Sequence, residues 1–140
     1  MFQTDLFKNK VIFVTGGGSG IGKAIAKQFL QTGATVHIAS RKKERVEQAA
    51  IELAAYGNVY AWPLDIREPE QIELVMAEIA SKSGRIDILV NNAGGQFPSA
   101  AIDISQKGWL AVINTNLYGT WFVTQAVAKH FFFPQNHGVV

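Results

Sequence analysis

Short apolar runs alternate with longer amphipathic stretches along the whole chain. The apolar runs are continuous and rich in β-branched residues, which is typical of strands buried on both faces of a parallel sheet. The longer stretches carry apolar residues at helical spacing. We predict strands over 10–15, 35–40, 59–64 and 86–91, and helices over 21–32, 42–55, 68–81 and 107–133.

This regular alternation predicts one α/β domain over residues 1–140. Strands joined through helices form right-handed crossovers, so we expect a doubly wound parallel sheet with strand order 3-2-1-4. Pro63 cannot donate to a sheet ladder, which favours an edge position for the third strand. Any ligand is expected at the carboxyl ends of the strands, where the order reverses between strands 1 and 4.

Composition narrows the class of protein. Hydrophobic residues make up 48% of the 140 residues, yet no apolar run approaches the roughly 20 residues that span a bilayer. We therefore expect a soluble protein with no membrane contact. Because the first ten residues lack an apolar signal core, we also expect a cytoplasmic location.

Charge and ligand-type residues exclude further classes. The sequence has no Cys, and His37, His130 and His137 are scattered without ligand spacing, so we expect no metal site. The net charge is only +2, and the one basic cluster, residues 41–45, has no accompanying aromatic pattern. A nucleic-acid partner is therefore not expected.

The first predicted strand runs into a glycine-rich stretch, TGGGSGIG, at residues 15–22. Gly16, Gly20 and Gly22 permit positive φ angles and let the backbone approach a pyrophosphate closely. The following helix offers free N–H groups and the positive end of its dipole. A strand–helix turn without a ligand is the alternative, but the position after the first buried strand favours a phosphate-binding loop.

The second predicted strand ends in Ser40 and Arg41, followed by Lys42 and Lys43. An NAD site would place Asp or Glu here to accept a hydrogen bond from the ribose 2′-OH. Cations at a helix start oppose the macrodipole, but a bound 2′-phosphate would reverse that penalty. Arg41 could pair with the phosphate and Ser40 could donate its hydroxyl, so these residues favour NADP(H). The alternative is a tolerated surface charge run.

The next two strand ends carry weaker signals. Asp65 follows the third strand, either near a bound adenine or as a turn residue before the next helix. Asn91 and Asn92 follow the fourth strand and can bond neighbouring strands or a ribose. Ala93 and Gly94 are small enough to leave room for a flat ring, although a plain turn is the alternative.

The last predicted helix carries one polar residue, Asn116, within an apolar stripe. An Asn on a core face must find partners or cost about 1–3 kcal/mol. It is therefore either a satisfied structural residue or part of a polar relay. The stripe consists of Trp109, Val112, Ile113, Thr120, Val123 and Val127.

Taken together, these motifs resemble the short-chain dehydrogenase/reductase family. TGGGSGIG, LDI, NNAG and NTNLYGT occur in the family's order and spacing, over essentially the whole chain but only about the first half of a family member. The resemblance implies a Rossmann-like fold and an NADPH-dependent oxidoreductase that transfers hydride to a small-molecule carbonyl or acyl-CoA. The stretch GGQFPSAAIDISQKGW at 94–109 is similar to the trans-2-enoyl-CoA and 2,4-dienoyl-CoA reductase branch.

The resemblance also implies roles for single residues. Asn116 would be the catalytic asparagine that holds a water in a proton relay. The helix over 107–133 would pack against its copy in a homo-oligomer, and Trp121, Phe122 and residues 131–133 would lack the cover that a full-length chain supplies. The implied cofactor-binding residues are Gly16, Gly18, Ser19, Gly20, Ile21, Gly22, Ser40, Arg41, Asp65, Ile66, Asn92, Ala93 and Gly94.

In the family, GVV at 138–140 would open a fifth strand that leads to a catalytic Ser and a Tyr-x-x-x-Lys pair. Four residues after Tyr56, Tyr60 and Tyr118 the sequence has Tyr60, Leu64 and Phe122, so no Tyr is followed by the Lys. We therefore expect a truncated, incomplete domain that binds the cofactor without turnover. A non-catalytic nucleotide-binding or regulatory module is the alternative.

Overall fold

A four-stranded parallel sheet in the order β3-β2-β1-β4 forms the centre of the computed structural model, which describes residues 3–140. The apolar runs at β1 and β2 are buried on both faces of the sheet. The predicted fold class and strand order are confirmed, and Pro63 ends an edge strand as expected. The strands are β1 (Val11–Thr15), β2 (Thr35–Ser40), β3 (Val59–Pro63) and β4 (Ile88–Val90).

Three helices make the crossovers between the strands, with bounds one or two residues from the predicted ones. They are α1 (Gly20–Gln31), α2 (Lys43–Leu53), which continues into a 3-10 turn (Ala54–Tyr56), and α3 (Pro69–Ser83). Gly33 after α1 and Gly84 after α3 have φ angles of 88° and 69°, which a glycine adopts without strain. None of the helices within residues 3–140 has the length and apolar character needed to cross a membrane.

The predicted long helix is a continuous helical rod over 106–135, interrupted by two π-helical segments. Its parts are α4 (Gln106–Ile113), a first π-helical segment (Asn114–Gly119), α5 (Thr120–Val127), a second π-helical segment (Ala128–Phe132) and α6 (Phe133–Gln135). A π-helical turn bonds residue i to i+5 and so shifts the face that the following residues present.

Because of these shifts, the predicted apolar stripe holds only in the middle of the rod. Val123 and Val127 are fully buried, but Trp109 is 55% exposed, so the prediction of a buried Trp109 is wrong. The aromatic cluster at 131–133 is also less open than expected. Phe131 is buried and Phe132 packs partly against the core, which leaves Phe133 as its exposed member.

The core lies in two layers, one on each face of the sheet. α1 and α2 cover one face, and α3 and the rod cover the other. The first layer includes Ile12, Val14, Leu30, Val36, Ile38, Val46 and Leu53, and the second includes Phe13, Ile72, Met76, Ile79, Leu89, Val123 and Val127.

Strand β4 is shorter than predicted, since its regular pairing with β1 covers only Ile88–Val90. Just before the strand, the side chain of Gln135 forms two hydrogen bonds with the backbone of Ile86. Its Nε2 donates to the Ile86 carbonyl (2.8 Å), and its Oε1 accepts from the Ile86 amide (3.3 Å). On its far side β4 meets Val139, which forms a parallel bridge with Ile88 and accepts from the Leu89 amide at 2.9 Å. The strand pairing predicted for 138–140 is therefore confirmed at Val139.

Asp87, only 4% exposed, is the centre of a charged cluster at the amino edge of the sheet. It accepts from the Val11 amide (2.9 Å) and from Nε of Arg85 (3.0 Å), and Nε2 of His137 lies 3.1 Å from its other oxygen. Burial raises the pKa of Asp87, but the hydrogen bonds from Arg85, Val11 and His137 outweigh it and lower the pKa to about 2. The cluster thus ties the starts of β1 and β4 to the segment after the rod.

We expect Asp87 to make stability depend on pH in the acid range. The pKa is lower in the folded than in the unfolded chain, so the stabilisation is complete above about pH 4 and is lost as pH falls towards 2. It amounts to about 2 kcal/mol, at about 1.4 kcal/mol per pKa unit. Asp87→Asn should be less stable at pH 7 and lose less stability on acidification, as measured by urea unfolding between pH 2.5 and 7.

Asp103→Asn is the control, because Asp103 lies exposed in the loop before the rod. This variant should follow the wild type at every pH. Parallel acid curves for Asp87→Asn and the wild type would contradict the assignment.

Candidate functional site

A cleft of about 390 Å³ opens at the carboxyl ends of the strands, where the order reverses between β1 and β4. All four segments that the sequence singled out after the strands meet in it. The lining residues are Gly16, Ser19, Gly20, Ile21, Ala39, Ser40, Arg41, Lys42, Arg45, Leu64, Asp65, Ile66, Asn92, Ala93, Gly94 and Thr115.

Three predicted site residues do not line the cleft: Gly18, Gly22 and Asn116. Sequence reasoning missed five residues that do line it. Of these, Arg45 could have been found, because it lies one helical turn after Arg41. Lys42 and Leu64 lie next to predicted site residues, in the basic run after the second strand and in the LDI motif, whereas Ala39 and Thr115 carried no separate signal as cleft residues.

The glycine loop makes a tight turn from β1 into α1. Gly16 and Gly20 have φ angles of 69° and 54°, the left-handed region that glycine adopts without strain. A Cβ on Gly22 would lie 2.4 Å from the Gly16 carbonyl oxygen, so the loop closes on the helix only without a side chain there. Ser19 precedes α1 but makes no side-chain cap, which leaves the first-turn amides facing the cleft without that partner.

A hydrogen-bonded joint holds the carboxyl ends of β1 and β4 together. Thr15 Oγ1 accepts from the backbone amides of Asn92 (3.1 Å) and Ala93 (3.0 Å). The Asn92 side-chain amide donates to the carbonyls of Thr15 (3.1 Å) and Gly16 (3.3 Å). Asn91 in turn donates to Thr124 of α5 at 2.9 Å. Asn92 thus bonds the neighbouring strand, as one of the two predicted alternatives has it, whereas Asn91 bonds a helix, and contact with a ribose stays a prediction.

Asn116 fastens the rod to the loop after β4. Its Nδ2 donates to the carbonyls of Gly95 (2.7 Å) and Val112 (2.9 Å), and its Oδ1 accepts from the Gly95 amide (3.2 Å). Asn116 is exposed, so its prediction on the buried face is wrong, because the first π-helical segment turns it towards the loop. These contacts are those of a satisfied structural residue, and a place in a proton relay stays a prediction.

Asp65 forms a turn with Arg67 before α3. One carboxylate oxygen accepts from the amide and Nε of Arg67 at 3.0 and 2.9 Å. The hydrogen bond from the Arg67 side chain, with a further contribution from the charge of Arg41, lowers the pKa of Asp65. The sequence left two roles open for Asp65, a turn residue or a neighbour of adenine. Its contacts are those of a turn residue, and it also lines the cleft.

Positive charge collects at the end of β2. Arg41, Lys42 and Arg45 line the cleft, and within residues 3–140 none of them forms an ion pair. Beside them, Ser40 Oγ is buried without a hydrogen-bond partner in the described part of the chain. A buried hydroxyl in that state costs about 1–3 kcal/mol. This corner can therefore accept an anion and a hydrogen-bond acceptor together.

Metal ligation has no comparable support, since residues 3–140 hold no cluster of three or more His, Cys, Asp or Glu placed to bind an ion. His37, for which the sequence predicted no ligand role, is a buried residue of β2. Its ring accepts from Trp62 Nε1 (2.9 Å) and contacts Ser83 Oγ (2.7 Å), and burial lowers its pKa to about 4.

A family model described as short chain dehydrogenase matches residues 10–140. A probable 2,4-dienoyl-CoA reductase of Bacillus subtilis (strain 168) is 35% identical over 95% of this chain and 53% of its own length. A peroxisomal 2,4-dienoyl-CoA reductase of Pongo abelii is 39% identical over 100% of this chain and 48% of its own length. The chain thus spans about half the length of the curated relatives that it matches.

Solved structures agree with these matches. The citronellol catabolism dehydrogenase AtuB of Pseudomonas aeruginosa PAO1 has a TM-score of 0.93 and 38% identity, over 99% of this chain and 57% of its own. An NAD+-bound xylitol dehydrogenase has a TM-score of 0.92 at 27% identity, over 96% and 52%. A Pseudomonas aeruginosa RhlG/NADP complex has a TM-score of 0.86 at 32% identity, over 93% and 51%.

We expect Thr15 to be essential for the joint between β1 and β4. Thr15→Val removes the acceptor of two backbone amides at a position only 1% exposed, and should cost about 2–4 kcal/mol of unfolding free energy. Thr15→Ser keeps the hydroxyl and should cost no more than about 1 kcal/mol for the lost methyl group. Urea unfolding of both variants checks this, and equal losses would show that the hydroxyl is dispensable.

Proposed function

This chain belongs to the short-chain dehydrogenase family, and we propose that residues 1–140 form an NADP(H)-binding domain of an oxidoreductase. The family is the one that the motif order predicts. The observation that carries the cofactor choice is the corner at the end of β2, where three cations without ion pairs in the described part of the chain line the cleft together with Ser40, whose hydroxyl has no hydrogen-bond partner there.

The residues of the cleft fit a dinucleotide on a second ground, the glycine loop. A Cβ on Gly16 or Gly22 would collide with Asn92, so the loop turns tightly and presents backbone surface at Gly16 and Gly20 to the cleft. The first turn of α1 points at this surface without a cap from Ser19. A helix start without a side-chain cap, preceded by a glycine loop, is a suitable binding site for a pyrophosphate.

The 2′-phosphate would distinguish NADP(H) from NAD(H). Arg41 is the proposed bidentate partner, Ser40 the proposed hydroxyl donor, and Lys42 and Arg45 add positive charge, of which only Arg45 was not anticipated from the sequence. Asp65, the acidic residue of this corner, is engaged by Arg67, so it does not offer a free carboxylate to a ribose 2′-OH.

When bound, the cofactor would supply a hydride, and this chain's residues would hold it in place. Asp65 and Ile66 would flank the adenine, while Ala93 and Gly94 would leave room for the nicotinamide ring. The substrate class proposed is a carbonyl or an enoyl- or dienoyl-CoA, since the relatives include two described as 2,4-dienoyl-CoA reductases. No Tyr-x-x-x-Lys pair occurs among the 140 residues, so the proposed part of this chain is cofactor binding.

Arg41→Asp should weaken NADPH binding about 10- to 100-fold and leave NADH binding almost unchanged. The loss follows from a charge-assisted phosphate contact worth about 1.5–3 kcal/mol, at 1.4 kcal/mol per tenfold. Calorimetric titration of wild type and variant with both cofactors measures it. Wild-type protein that binds neither dinucleotide at millimolar concentration would contradict the proposed function itself.

Lys43→Asp is the matched control for that substitution. It makes the same charge change two residues away, but Lys43 pairs with Glu47 (3.9 Å) and does not line the cleft. We expect a small loss of similar size for both cofactors. If Arg41→Asp behaves in the same way, Arg41 does not hold the 2′-phosphate.

We also propose that the chain forms a homo-oligomer through the rod, as the resemblance implies. A groove of about 790 Å³ lies between α3 and α5. Trp121 and Phe133 line it and are 57% and 81% exposed. Burying one such side chain is worth roughly 1.5–3 kcal/mol, so a second copy that covers both would be stabilised.

Trp121→Glu and Phe133→Lys should each shift the chain from oligomer towards monomer at micromolar concentration, because each places a charge in the groove. Sedimentation velocity measures the change. Leu74→Glu is the control, since Leu74 is 69% exposed on α3 but lies outside the groove. A wild-type monomer at that concentration would remove the oligomer from the proposal.

A further inference from the structure

The rod touches the loop after β3 at a point where only a glycine fits. Gly119, the last residue of the first π-helical segment, is buried. A Cβ added to Gly119 would lie 2.7 Å from Ile66 Cγ1, 2.8 Å from Ile66 Cδ1 and 3.2 Å from the Ile66 carbonyl oxygen. The first two distances are shorter than side chains tolerate, so a substitution must move Ile66 or the rod.

Ile66 connects this contact to the cleft. It lines the cleft, yet it is only 6% exposed because it packs in the core layer that also contains Leu64 and Val123. Ile66 therefore contacts the rod at Gly119 and also forms part of the cleft lining.

The same short segment also reaches the other wall of the cleft. Thr115 lines the cleft, and Asn116 is bonded to the backbone of Gly95 after β4. Residues 114–119 thus contact the loops after β3 and β4 at once. The rod is anchored by these bonds and by the fully buried Val123, so Ile66 is the partner that would yield to a side chain at 119.

We propose that Gly119 is a positioning residue that fixes the position of Ile66. Ile66 in turn forms the part of the cleft wall against which the adenine half of the dinucleotide packs. The inference rests on the proposed function, because it takes the cleft to hold a dinucleotide. It assigns a cofactor-positioning role to a residue that does not line the cleft.

The test is Gly119→Ala, titrated with NADPH, with adenosine 2′,5′-bisphosphate for the adenine half, and with reduced nicotinamide mononucleotide for the other half. We expect about tenfold weaker binding of the first two ligands, the usual scale for an overpacked contact, and no change for the third. The double variant Gly119→Ala/Ile66→Ala lacks both colliding carbons. It should bind NADPH and the bisphosphate with almost the same affinity as Ile66→Ala alone.

Gly95→Ala is the matched control, because a Cβ there meets no atom within 4 Å. It should bind all three ligands as the wild type does. If Gly119→Ala fails to fold, Gly119→Ala/Ile66→Val compared with Ile66→Val replaces it, with the same ordering of ligands expected.

The outcomes separate the two proposals. Wild-type protein that binds no dinucleotide overturns the proposed function and this inference with it. Wild-type binding with unchanged affinity in Gly119→Ala overturns the positioning role alone. Equal losses for both halves of the cofactor, or a loss that Ile66→Ala does not relieve, also overturn it, because a general structural defect would produce them.

Discussion

The joint between Thr15 and Asn92 is the constraint on which the cleft depends. The ladder between β1 and β4 ends at the pair Val14 and Val90. The segments that follow the two strands lead to helices on opposite faces of the sheet. Beyond that point one hydroxyl and one side-chain amide carry the pairing. A Cβ on Gly22 would lie 2.4 Å from Asn92 Nδ2. The last glycine of the loop is therefore required by the joint as well as by any phosphate, which couples the motif after β1 to the motif after β4.

This coupling explains how much of the site the sequence could predict. In a parallel sheet the carboxyl ends of all strands meet at one edge, so motifs that follow strands converge even when they lie 75 residues apart, as Thr15 and Val90 do. The side of the rod that faces the core could not be predicted, because two π-helical segments break the period of 3.6 residues. Trp109 and Asn116 were misplaced for this reason. The later start of β4 was not predictable either, because Ile86, within the predicted strand, bonds the side chain of Gln135, which is 49 residues away in the sequence.

Two acidic residues show how the protein separates stability from binding. Asp65 pairs with Arg67, two residues later in the sequence, and Asp87 pairs with Arg85, two residues earlier, at opposite edges of the sheet. Asp87 is buried and joins three segments of the chain at the amino edge. Asp65 lies beside the cleft, where it pairs with Arg67 and forms no ion pair with Arg41, Lys42 or Arg45 in the described part of the chain, although the charge of Arg41 contributes to its lowered pKa. Equal chemistry therefore stabilises the fold at one edge and preserves a positive corner at the other.

Within the described residues, Ser40 Oγ is the one buried side-chain polar atom without a hydrogen-bond partner. His37 illustrates the contrast: burial keeps it neutral near pH 7, and Trp62 and Ser83 occupy both of its ring nitrogens. Ser40 ends the same strand three residues later, and its hydroxyl faces Gly18, whose Cβ would lie 2.8 Å away. One strand thus carries a fully bonded polar residue in its interior and an unbonded one at its carboxyl end. This difference within a single strand supports the proposal that the corner binds an anionic ligand.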